Sequence, residues 1–168
     1  MKHSIQFQRM FVTLLSLIVM IPLCSFAANP NFSGQWTLNE SKSEMGEGRF
    51  FSSAKMKVTQ EGNTLTIERT RTGRDGEERT TSETLTMDGK DNVVSGDNRN
   101  SVTTVTWSGD GSTLTIKSKR EFNRQGETFE MNTTETWTLS GDGKTLTIKS
   151  DSSSGMGDRS ATLVYDKN

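Results

Sequence analysis

Thr113-Leu114-Thr115-Ile116-Lys117-Ser118 alternates large apolar residues with β-branched or polar ones, which puts the two kinds of side chain on opposite faces of an extended chain. The same pattern returns at Thr64-Leu65-Thr66-Ile67, Thr84-Leu85-Thr86-Met87, Thr136-Trp137-Thr138-Leu139 and Thr145-Leu146-Thr147-Ile148. Each reads as a half-buried strand. Turn signals separate them, among them Glu61-Gly62-Asn63, Asp88-Gly89-Lys90, Gly109-Asp110-Gly111 and Gly141-Asp142-Gly143, where glycine supplies the positive φ of tight hairpins. The pattern predicts strands over 33–39, 54–61, 63–72, 77–87, 101–108, 112–122, 127–140, 144–151 and 159–166, with a further short one over 92–95. The stretch from Glu40 to Ser53 lacks the alternation and is expected to hold a short helix or a lid.

Short turns make successive strands antiparallel neighbours. A meander of this many strands, with only 30% hydrophobic residues, is expected to close into an all-β, antiparallel up-and-down barrel of about 8–10 strands. Closure removes exposed strand edges and needs one buried face. The other face carries Thr66, Glu68, Thr70, Lys117, Lys119, Glu130, Asn132 and Lys149, which belong in water and not in lipid. The matching segments around Gly109-Asp110-Gly111 and Gly141-Asp142-Gly143 read as one hairpin solution used twice, since neither aspartate has the further acidic ligands of a calcium loop.

The amino terminus follows a different rule. Phe11 to Leu23 is an almost unbroken apolar run preceded by Lys2 and Arg9 and followed by the small-residue site Ser25-Phe26-Ala27. At about 13 residues the run is shorter than the roughly 20 needed to span a bilayer, so residues 1–27 are expected to be a cleaved signal peptide. The exported chain, periplasmic or extracellular, then starts at Ala28 and forms one domain over 28–168. His3 and Cys24, the one histidine and the one cysteine of the chain, leave with the signal. A histidine base, a cysteine nucleophile, a Cys/His zinc site and a disulfide framework thereby lose their atoms. Removing Lys2 and Arg9 from 20 basic residues leaves 18 against 21 acidic ones, with no basic run that argues for nucleic acid.

Inward parity along the strands divides the barrel interior in two. Leu65 and Ile67 are followed by Arg69 and Arg71; Thr81 and Glu83 precede Leu85 and Met87; Leu114 and Ile116 are followed by Ser118, Arg120 and Phe122; Phe129, Met131, Thr133 and Glu135 precede Trp137 and Leu139. Because neighbours run antiparallel, the apolar ends coincide in space and so do the polar ends. One end is expected to be packed, Trp107 and Trp137 included, with Trp36 as its plug. The other is expected to be a water-filled cup or ligand cavity, or else an Arg/Glu cluster that fills the barrel mouth.

Phe32-Ser33-Gly34-Gln35-Trp36-Thr37-Leu38 resembles the Gly-x-Trp opening of the calycin superfamily, the lipocalins and fatty-acid-binding proteins. Trp107 with the hairpin that follows it, and Leu163-Val164-Tyr165-Asp166-Lys167, are similar to late strands of the fatty-acid-binding proteins. The resemblance implies a lipocalin-like barrel. In the fatty-acid-binding family two arginines and a tyrosine hold the ligand carboxylate; here the arginine positions are Ser118 and Leu163, and Tyr165 alone is kept. Arg120, on the same inward face as Ser118, is positioned to act as an anion anchor nearer the rim.

The resulting expectation is a binding protein that holds a small amphipathic or hydrophobic ligand in the barrel mouth, using Arg69, Arg71, Glu83, Arg120, Phe122, Phe129, Met131, Glu135 and Tyr165, with no catalytic residue, cofactor or metal. The alternative is an envelope interaction or structural module whose lumen is only core. A carboxylate pair made by Glu83 and Glu135, as in sugar hydrolases, ranks below both, because Arg69 and Arg120 are placed to pair with those carboxylates.

Overall fold

The computed structural model describes residues 29–46, 53–73, 75–96, 99–124 and 126–168. The segment expected to be a signal peptide, 1–27, lies outside the described residues. Ten strands follow in order: β1 (Gly34–Leu38), β2 (Lys55–Glu61), β3 (Thr64–Thr72), β4 (Glu78–Thr86), β5 (Asp91–Gly96), β6 (Arg99–Trp107), β7 (Thr113–Arg124), β8 (Glu127–Leu139), β9 (Thr145–Ser154) and β10 (Gly157–Lys167). They lie within about three residues of the expected positions. The largest extension is at the β9–β10 hairpin, where Gly157, at φ 104°, lets the ladder run on until Ser154 pairs with Gly157 itself. Of the segment 40–53, Glu40–Lys42 forms a single 3₁₀ turn capped by Asn39, and Glu44 bridges to Thr162 of β10; residues 47–52 are outside the described set.

All pairings are antiparallel in the order β4-β3-β2-β1-β10-β9-β8-β7-β6-β5. The first and last strands pair, which joins the two ends of the meander, through partners such as Leu38 with Tyr165. The barrel is nearly closed rather than closed. The expected full closure fails in mid-chain: β4 and β5 are consecutive, yet they do not pair. The turn between them docks instead on β6, where Gly89 N–H donates to the Val105 carbonyl at 3.1 Å.

Two hairpins are braced identically. Ser108 Oγ and Ser112 N donate to Asp110 Oδ1 at 2.6 and 3.0 Å, and Ser140 Oγ and Lys144 N donate to Asp142 Oδ1 at 2.6 and 3.0 Å. Hydrogen bonds from Ser108 and Ser112 hold the Asp110 carboxyl down at about 2. The aspartates thus direct their oxygens to their own turns.

The core occupies the expected end of the barrel. Phe32, Trp36, Leu65, Leu114, Trp137 and Leu146 are completely or almost completely buried. Phe32 seals the base: its ring stacks on Trp107 at 5.9 Å and meets Trp137 edge-on at 5.7 Å, while its carbonyl accepts from Trp36 Nε1 at 3.0 Å. Trp107, expected among the packed residues, is only partly buried, because it covers the outside of Phe32.

Candidate functional site

The alternation that buries Leu65 and Ile67 carries Arg69 into the lumen one step higher, with 14% of its side chain exposed. A guanidinium there needs partners. Nη1 donates to Glu83 Oε1 on β4 at 2.9 Å, and Nη2 donates to Glu135 Oε2 on β8 at 2.7 Å. The same Glu135 oxygen accepts Trp137 Nε1 at 2.9 Å, and the guanidinium carbon stands 5.9 Å from the Trp137 ring centre. Burial opposes charge on Arg69, but Glu135 and Glu83 outweigh it and hold the group above its ordinary value. A polar layer therefore crosses the barrel above the apolar floor. The buried hydroxyls of Thr103 and Ser118, 3.0 Å apart, belong to the same level.

Of the two expected carboxylate partners, Arg69 takes both. Arg120 does not pair with Glu135, because Arg69 reaches across the lumen and occupies that carboxylate first. Among the described residues Arg120 has neither an ion pair nor a hydrogen bond from its side chain. Burial lowers it below its ordinary value; Glu83 works against this, and Arg99 and Arg69 add to it. Arg71 is lowered in the same way, by burial and by the neighbouring Arg69 and Arg120, and its Nε donates to Ser53 Oγ at 3.3 Å.

Arg69, Arg71, Arg99 and Arg120 line one cavity of about 400 Å³ together with Glu83 and Ile67. Four guanidiniums face Glu83 and Glu135, which leaves two positive charges at the mouth. Phe122, Phe129, Met131, Glu135 and Tyr165, also expected at the site, are not among the residues that line it. Phe122 lies under Arg99, whose guanidinium carbon is 5.6 Å from its ring centre. Glu135 is tied in from below through Arg69, Met131 is half-buried, and Phe129 is 48% exposed at the rim, paired in register with Phe122.

Tyr165 is buried on β10, and burial pushes its phenol up to about 12 against the pull of Arg69. The folded state thus holds this proton more tightly than the unfolded chain, whose tyrosine titrates at about 10. Its stabilising contribution is complete below about pH 10 and is lost as the pH rises through about 12. The chain has one tyrosine, so a spectrophotometric titration is unambiguous. We expect a phenolate step at about 12 in the folded protein and at about 10 in denaturant; coincident steps would put the ring in water.

Sequence reasoning misses Arg99 because the alternation predicts a sixth strand that begins at 101. The signal exists nonetheless. Continuing the inward parity of Val105, Thr103 and Ser101 by one more step reaches Arg99. A second cavity of about 480 Å³ opens between β4 and β5 and shares Ser82, Glu83 and Arg99 with the first. An expectation of full closure leaves no room for it.

The strand order defines an all-β, antiparallel up-and-down barrel, nearly closed, with an arginine-lined cup in its upper half. Among solved structures the chain is similar to the crystal structure of zebrafish ileal bile acid-binding protein complexed with cholic acid, at 19% identity and a TM-score of 0.49, over 82% of this chain and 98% of that one. No protein-family model matches the sequence, and no curated protein matches it significantly.

Proposed function

We propose that the protein is exported after cleavage before Ala28 and that residues 28–168 act as one binding domain, holding a small amphipathic anion in the barrel mouth. The observation that carries this reading is Arg120, without a partner among the described residues, in a cavity where guanidiniums outnumber carboxylates. A guanidinium held beside like charges and away from water favours an anionic partner that supplies two parallel acceptors. Both carboxylates of the layer are already bound by Arg69, which supports binding over acid/base hydrolysis.

Calorimetric titration with octyl sulfate and with 1-octanol tests the reading. The sulfate is expected to bind at least about tenfold more tightly than the alcohol, since a charge-assisted hydrogen bond contributes roughly 1.5–3 kcal/mol. Arg120→Gln is expected to abolish that preference and leave the melting temperature nearly unchanged, because it breaks no ion pair or hydrogen bond among the described residues. Equal binding of sulfate and alcohol, or a sulfate affinity indifferent to Arg120→Gln, would remove the anchor.

A further inference from the structure

The opening between β4 and β5 is built, not merely frayed. At its lower end the Asn92 side chain stands in for the missing ladder: Oδ1 accepts Thr86 N–H at 2.8 Å, and Nδ2 donates to the carbonyls of Thr86 and Thr103 at 3.2 and 3.1 Å. Above that clasp the strands stay apart, and the cavity between them is floored by Leu85 and flanked by Val93 and Val94. Those two valines are 64% and 66% exposed, an unusual position for apolar side chains next to a cavity. Register places Val94 opposite Ser101 and Ser101 opposite Arg120, so Val94 shares the inward face with the proposed anchor.

An amphipathic molecule anchored at Arg120 has few places to put its apolar part. Straight down the barrel axis the path is blocked by the Glu83–Arg69–Glu135 layer and by the buried Trp137 and Ile67 beneath it. Sideways lies the seam cavity, which adjoins the mouth cavity and shares Ser82, Glu83 and Arg99 with its lining. We propose that the seam between β4 and β5 is the subsite for the apolar tail of an anionic amphiphile, which leaves the barrel laterally over Leu85 and Val94. This rests on the reading of the mouth as an anion site. The seam faces water, so the tail is covered on one side and the bare amides of the strand edges remain hydrated on the other.

Sulfate esters of hexyl, octyl and decyl alcohol are the probe, titrated against the full mature chain and its Val94→Asn variant. Full burial of a methylene gives about a fourfold gain in affinity, so one-sided cover is expected to give about twofold per methylene. Val94→Asn adds no charge and changes an exposed side chain. It is expected to flatten the chain-length dependence and leave the hexyl ester within about twofold of the original. A dependence that survives Val94→Asn, or one absent from the unaltered protein, overturns the seam subsite while the Arg120 effect still stands. If no alkyl sulfate binds, or binding ignores Arg120→Gln, the mouth reading falls and the subsite with it. Sedimentation showing a dimer that Val94→Asn dissociates would give the seam to a second copy of the chain, and would equally overturn the assignment.

Discussion

Trp137→Ala is expected to destabilise the protein by about 3–5 kcal/mol, the range for truncating a fully buried aromatic side chain. Trp137 has no exposed surface and touches both halves of the interior: its edge meets Phe32 at the apolar base, and its Nε1 supports Glu135 in the polar layer. The substitution therefore opens a cavity and removes a donor from a partly buried carboxylate. Trp137→Phe separates the two effects, since it keeps most of the ring volume and loses only the donor; it is expected to cost about 1–3 kcal/mol. Chemical denaturation measures both. A loss below about 1 kcal/mol for the alanine variant would invert the inward parity assigned to β8.

Arg69→Met is the second large effect, expected at about 2–4 kcal/mol. Removing one member of a buried ion pair costs roughly 3–5 kcal/mol, because the charge left behind has lost both water and partner. Here the figure is reduced by solvent screening, since the Glu83 side chain is 32% exposed and that of Glu135 20%. The damage lies in the orphaned carboxylates rather than in the missing attraction. Adding Glu83→Gln and Glu135→Gln to Arg69→Met is accordingly expected to restore most of the stability, because the amide oxygen introduced by Glu135→Gln can still accept from Trp137. A triple variant no more stable than Arg69→Met would show that the guanidinium contributes by packing alone.

Fold and site differ in how far they can be read from residue order. Period-two alternation is a local property, and in this chain it is strong: Leu65, Ile67, Leu114, Ile116, Leu146 and Ile148 all lie where parity sends them. Because antiparallel neighbours align opposite ends, parity also separates the apolar floor from the charged mouth before any pairing is known. That is why Arg69, Arg71, Glu83 and Arg120 can be gathered into one cavity from the sequence, and why the strands fall close to their expected positions.

What the sequence by itself determined, then, is the period, the sidedness and the approximate positions of the strands, each of which depends on residues a few positions apart. The tertiary structure alone decided which charges meet and where the barrel stays open. Arg69 and Glu135 are 66 residues apart, and their 2.7 Å contact depends on how far one side chain reaches across a lumen whose width no single strand encodes. Phe32 precedes the first strand and reveals no periodicity, yet it seals the base because β1 is held between β2 and β10. The seam has the same origin: β4 and β5 follow each other around a glycine turn, but that turn docks on β6 and, among the described residues, only the Asn92 side chain bridges the two strands where a ladder is expected. Local pattern sets the face a side chain takes, whereas distance across the barrel is a property of the nearly closed sheet as a whole.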